Sequence, residues 1–260
     1  MSNTPILEAQ GLCKSFTLSK KQQRLERTDK RVRVAVDQLS FTAYRGEIFG
    51  LLGPNGAGKT TTLRMLAALI RPDAGDATLE GVSVVREPAA VRARMGFLTS
   101  ELKLEDFFTP SYLFDFFADL HRVPADVAAA RKAALFARFG IDRFAEVKVA
   151  NLSTGMKQKV SLVVSVVHDP DIIIFDEPTN GLDVLTAKTV TDFLTELRER
   201  GKTVILSTHI FSLAERLCDR VGVIIEGRMV ACDTLDGVCG GLSLEDRFFE
   251  LYRENAREEA

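Results

Sequence analysis

The sequence predicts an α/β fold, in which a core of buried strands and helices follows an antiparallel β subdomain and is interrupted by an α-helical insertion. Three observations carry this. Compact apolar runs at Ile48–Leu52, Ile172–Phe175, Val204–Ser207 and Val221–Ile225 read as buried strands separated by turn and helix patterns. Residues 5–17 and 32–50 are rich in β-branched and aromatic side chains with polar punctuation, the composition of shorter strands. Between about 100 and 165 strand character gives way to an Ala- and Phe-rich helical stretch.

Taken in order, the first two strands are separated by Lys20–Arg33, with seven basic residues against two acidic ones and little that is apolar. That composition predicts a solvated, mobile insertion in a hairpin loop, at about 18–33. The run Ile48–Leu52 ends on Gly53-Pro54-Asn55-Gly56, a turn signal. Leu63, Leu66, Ala67 and Ile70 then recur at helical spacing until Arg71-Pro72-Asp73 stops the helix. Gly75–Val85 reads as a polar hairpin turning at Gly81, and a last helix is expected at about 243–258. No repeat is visible, so residues 1–260 are read as a single domain rather than two fused copies.

The bulk composition narrows the classes. A formal charge of −2 with both signs abundant argues against a nucleic-acid partner. Cys13, Cys218, Cys232 and Cys239 are scattered without a CxxC pair, which predicts reduced thiols rather than a metal site or disulfides. The first residues lack the basic-then-apolar layout of a signal peptide. The longest apolar runs fall far short of the ~20 residues that span a bilayer. Any membrane span is expected from another polypeptide.

The residues that carry chemistry cluster after strands. Gly53-Pro54-Asn55-Gly56-Ala57-Gly58-Lys59-Thr60 fits GxxxxGK[ST], the Walker A pattern, and Thr61 follows in the first helical turn. Glycine permits close approach of the backbone to phosphates, and successive N–H groups with a helix N-terminus form an anion cradle. Lys59 is expected to reach the β- and γ-phosphates of ATP, and Thr60 to offer its hydroxyl to Mg²⁺. Asp176 and Glu177 end an apolar strand, where α/β folds bind ligands. Asp176 suits the Mg²⁺ shell, and Glu177 suits polarising the attacking water. Val204–His209 repeats that design, placing His209 to hydrogen-bond the γ-phosphate.

These residues, with Asn151-Leu152-Ser153-Thr154-Gly155-Met156-Lys157-Gln158-Lys159, resemble an ATP-binding cassette (ABC) ATPase over nearly the whole chain. The resemblance implies a P-loop NTPase (RecA-like) core with an inserted helical signature subdomain. It also implies that Ser153 and Gly155 close over the ATP of a second subunit, so that a head-to-tail pair, expected to be two identical chains, buries two nucleotides. Thr154 and Met156 depart from the family's LSGGQ form. Asp183, in the stretch matching the D-loop, is expected to cross toward the partner. Phe16 takes the place of the aromatic that stacks on adenine.

A further departure lies at Gly96–Glu101, where most members carry a Gln that meets Mg²⁺; Ser100 takes its place, or Glu101 one register on. The aromatic run Phe107–Phe117 would ordinarily be core, but it falls where relatives receive a helix of their membrane subunit. The signature form is similar to that of two-component, sodium-exporter-like systems. The resemblance therefore implies an ATPase that drives a separately encoded permease, peripheral on the inner face of the cell membrane. A non-transport or regulatory ABC ATPase with weak hydrolysis is the competing expectation.

Overall fold

The computed structural model describes residues 4–26, 28–99 and 104–258. Two sheets organise it. The first is antiparallel and four-stranded, in the order β2-β1-β4-β5, built from β1 (Pro5–Thr17), β2 (Val32–Tyr44), β4 (Ala74–Leu79) and β5 (Val82–Ser83). The second has the order β10-β9-β3-β8-β7-β6. Its strands are β3 (Ile48–Leu52), β6 (Met95–Leu98), β7 (Ile172–Asp176), β8 (Thr203–Thr208), β9 (Arg220–Ile225) and β10 (Arg228–Thr234). Strands β6, β7, β8, β3 and β9 run parallel, and β10 closes the edge antiparallel to β9.

A parallel sheet needs cover on both faces, and the strand sequences supply it. Along β7, Ile172 and Ile174 join one core while Ile173 and Phe175 join the other. Along β8, Ile205 faces the first core, and Val204 and Leu206 the second. Each such side chain, fully buried, contributes roughly 1.5–3 kcal/mol. One core holds helix α2 (Lys59–Leu66) between the parallel sheet and the antiparallel subdomain. The other is covered by α7 (Val184–Glu199), α8 (Phe211–Leu217) and α10 (Leu244–Glu258), and by the helical insertion. That insertion comprises α4 (Pro110–Leu120), α5 (Ala125–Phe139) and α6 (Thr154–Ser165). Helices α3 (Pro88–Arg94) and α9 (Leu235–Cys239) are shorter.

One expectation changes. Residues 18–33 are not a featureless loop, because Lys20–Glu26 forms a helix, α1. Ser19 and Gln22 cap it reciprocally: Ser19 N–H donates to Gln22 Oε1 at 2.8 Å, and Gln22 N–H donates to Ser19 Oγ at 3.3 Å. The aromatic run also divides. Phe114 is fully buried, edge-on to Phe136, whereas Phe107, Tyr112 and Phe116 are exposed. All four cysteines are free thiols, as composition predicts, and burial pushes Cys218 up to about 12. Among the described residues, no helix is long and apolar enough to cross a membrane.

Candidate nucleotide-binding and hydrolytic site

The phosphate loop forms because β3 delivers the chain to a place too crowded for side chains. A Cβ on Gly53 would lie 2.3 Å from the Ile224 carbonyl oxygen, and one on Gly58 2.3 Å from that of Ala35. Gly58 also takes φ +106° as the residue before α2. Ala57 is buried, and its carbonyl accepts from Gly227 N–H at 2.9 Å, which ties the loop to the β9–β10 turn. Pro54, Asn55 and Gly56 are left exposed at the rim.

Lys59 begins α2 and is buried. Its Nζ donates to the carbonyls of Gly53 at 2.7 Å and Pro54 at 3.2 Å, and lies 3.6 Å from Glu177 Oε1. Burial holds its pKa below the ordinary lysine value, opposed by the Glu177 carboxylate. This ammonium bridges loop and acid, and an incoming phosphate offers it stronger acceptors than the carbonyls do.

Strands β7 and β8 bring the acids to the same edge. Their register sets Asp176 beside Ser207, whose hydroxyl donates to Asp176 Oδ1 at 2.5 Å. Thr60 Oγ1 donates to the same oxygen at 3.1 Å. Asp176 Oδ2 is buried and has no hydrogen-bond partner. An orphaned carboxylate oxygen is costly unless something positive meets it. Beside the Thr60 hydroxyl, it fits a hard cation such as Mg²⁺. No group of three or more His, Cys, Asp or Glu side chains assembles among the described residues. The site therefore suits an ion that draws its other oxygens from phosphate and water.

Glu177 adopts φ +52°, an uncommon conformation for a residue with a side chain. Its N–H donates to Ser207 Oγ at 3.0 Å and to the Ser207 carbonyl at 3.2 Å, which hold the turn. His209 Nδ1 sits 3.0 Å from both Glu177 oxygens. An ionised carboxylate only accepts, so Nδ1 carries the proton in this pairing. Glu177 thus contacts both His209 and Lys59. Ser207 is the residue whose part the sequence alone does not assign. Its position opposite Asp176 in the parallel register is the signal that could have found it.

Lys59, Thr60 and Glu177 line a cleft of about 470 Å³ together with Phe16, Gly56, Gly58 and Thr61, among others, while Asp176, Ser207 and His209 stand outside its lining. Phe16 is 42% exposed in its wall rather than core. Ser153, Gly155 and Asp183 do not line it. Ser153 caps α6, its Oγ accepting from Met156 N–H at 3.3 Å. A Cβ on Gly155 would meet only Leu182 Cδ2, at 3.9 Å. Asp183 caps α7 and accepts from Leu185 N–H, Thr186 N–H and Thr186 Oγ1. Those bonds, the Thr186 hydroxyl first, hold its carboxyl below the usual range. Ser100 and Glu101 lie outside the described residues.

The ABC transporter family model matches residues 36–180, from the antiparallel subdomain through both acids. The chain belongs to the ABC transporter family. Its ABC domain is 38% identical over 218 residues to the ABC transporter ATP-binding protein NatA of Bacillus subtilis, covering 84% of this chain and 89% of that protein. It is also 38% identical over 231 residues to the Nod factor export ATP-binding protein I of Ralstonia nicotianae, covering 89% and 68%. A dimeric ATP-binding cassette solved with ADP and Pi shares the fold at a TM-score of 0.77, with 22% identity over 88% of this chain and 98% of that one. The fold is therefore that of an ABC ATPase, with ATP the nucleotide its family binds.

Proposed function

We propose that this chain hydrolyses ATP as the motor subunit of a two-component export system, pairing head-to-tail with a second copy and driving a separately encoded permease. The observation that carries hydrolysis is that Glu177, in the wall of the cleft, lies 3.0 Å from His209 Nδ1 and 3.6 Å from Lys59 Nζ. In this reading Lys59 and the loop N–H groups hold the phosphates and Phe16 stacks on the base. Glu177 accepts a proton from the attacking water. His209 keeps Glu177 oriented through Nδ1; donation to the γ-phosphate from Nε2 would require the doubly protonated ring. Thr60 and Asp176 would hold Mg²⁺, which supplies electrostatic relief for charge on the transferring phosphoryl group.

Pairing is supported by what the cleft leaves out. Ser153, Thr154 and the N-terminus of α6 are exposed away from it, so a second copy is needed to bring them onto the nucleotide. Val184 and Leu185, next to Asp183, are 85% and 80% exposed, an apolar pair suited to that contact. A dimeric cassette with ADP and Pi shares this fold, which supports pairing in this reading.

Export is supported by the Nod factor export relative. The permease contact is assigned to the outward rings Tyr112 and Phe116 of α4, which stack at 6.3 Å, with half-buried Phe108 just ahead of the helix stacked on Tyr112 at 4.4 Å. The test is phosphate release by the purified chain, alone and with the membrane subunit co-purified. The proposal expects release that rises more than linearly with protein concentration and is further stimulated by the membrane subunit. Release that is linear with concentration and indifferent to any membrane subunit would return the reading to a stand-alone regulatory ATPase.

A further inference from the structure

The family match begins at residue 36, so the basic segment Lys20–Arg33 lies ahead of it. That segment carries a net charge of +5 in a chain of −2, so the remaining residues together carry −7. It is also held in shape. Leu18 is buried and its N–H donates to the Arg31 carbonyl at 2.9 Å, which closes the segment at its base. Beyond α1, Thr28 N–H donates to the Gln23 carbonyl at 3.0 Å, and Gln23 Nε2 donates to the Lys30 carbonyl at 3.1 Å. Gln22 lines the cleft beside the phosphate loop, and Gln23 is half-buried. The glutamine side of α1 therefore faces the rest of the protein.

At about 100° per residue, Lys20, Arg24, Lys21 and Leu25 follow one another over an arc of about 140° on the opposite side. All four are exposed, Leu25 to 73%. Lys30 and Arg31 are exposed in the returning segment, beside exposed Asp29. Among the described residues, none of these five cations forms an ion pair. Lys20 and Lys21 also stand in the first turn of α1, which holds no acid. A helix dipole favours anions there, so the pair weakens α1 and its use lies outside the helix. Cations flanking an exposed leucine fit a surface that is anionic with an apolar layer beneath. A nucleic-acid backbone would use the cations but not Leu25. We propose that the outer side of α1 docks on an anionic lipid bilayer, with Lys20, Lys21 and Arg24 at the headgroups and Leu25 at the acyl boundary. The contact goes beyond the ATPase reading, because it needs neither nucleotide nor permease.

Co-sedimentation of the full chain with vesicles, without nucleotide, tests this. Vesicles of phosphatidylcholine alone are compared with vesicles of equal parts phosphatidylcholine and phosphatidylglycerol. The expected result is binding to the second and not the first, weakened by added salt. Lys20→Gln with Lys21→Gln and Arg24→Gln is expected to lower that binding by at least about tenfold, and Leu25→Ser by about threefold. The charge-keeping set Lys20→Arg, Lys21→Arg and Arg24→Lys is expected to bind like wild type, and every variant to melt like it. Binding that is absent, equal on both vesicles, or undiminished by the three glutamines would overturn the proposal. So would lost binding in the charge-keeping set while it melts normally. Wild-type binding by Leu25→Ser would replace the bilayer with a purely charged partner, and tighter binding to duplex DNA or polyglutamate than to the anionic vesicles would do the same.

Discussion

Glu177 is held by its backbone, at φ +52° with its N–H on Ser207, so its carboxylate can be changed without moving the turn. Glu177→Gln keeps the size and an acceptor for His209 but removes the base. The expected outcome is loss of phosphate release by at least about a hundredfold, with ATP affinity in calorimetry little changed; turnover near wild type would refute the assignment. Gly58 is the opposite case. A methyl there meets the Ala35 carbonyl at 2.3 Å, and φ +106° is unfavourable for any side chain. Gly58→Ala is expected to destabilise by on the order of 3 kcal/mol in urea unfolding, and a change below about 1 kcal/mol would contradict the crowding argument. The glycines, Lys59, Asp176 and Glu177 were legible in the sequence because each follows an apolar strand. Ser207 was not, because its role arises from a cross-strand neighbour, Asp176, far away in sequence.

At the scale of elements, the strands of the parallel sheet were the most readable, since burial on both faces writes continuous apolar runs. The short helix α1 was hidden by its charge: composition predicted a solvated loop, while the Ser19–Gln22 capping box settles the local geometry. The helical insertion is seated partly through histidines. His121, at the end of α4, stacks on His168, beyond α6, with ring centroids 3.8 Å apart and planes within 6°. Burial first, then the neighbouring His121, holds His168 down at about 4, with Arg131 and Asp169 also close enough to act on it. Unfolded, the ring titrates near 6.5. Between those values the unfolded chain binds a proton that the folded chain refuses, so stability is full above about 6.5 and falls as pH drops toward 4. His168→Gln is expected to show a smaller decline in melting temperature from pH 7 to pH 4.5 than wild type. An identical decline would show that His168 does not carry this dependence.

At the scale of the whole molecule, the chain presents the cleft beside the phosphate loop and, elsewhere on its surface, the capped tip of α6 and the exposed pair Val184 and Leu185. Val184→Ser with Leu185→Ser is expected to alter folding stability by less than about 0.5 kcal/mol for each change, yet to weaken any ATP-held dimer, as read by sedimentation at graded concentrations. Ser153 offers a cleaner probe, because aspartate caps a helix as well as serine does. Ser153→Asp preserves α6 but, in the proposed pair, would set a carboxylate against the phosphates of the second copy's nucleotide. The most direct measurement is the mass, by light scattering, of Glu177→Gln with MgATP, with and without Ser153→Asp. The account predicts twice the chain mass with ATP and the single-chain mass with ADP, and loss of the ATP-held dimer when Ser153→Asp is added. A chain that stays single with ATP, or a dimer indifferent to Ser153→Asp, would contradict it.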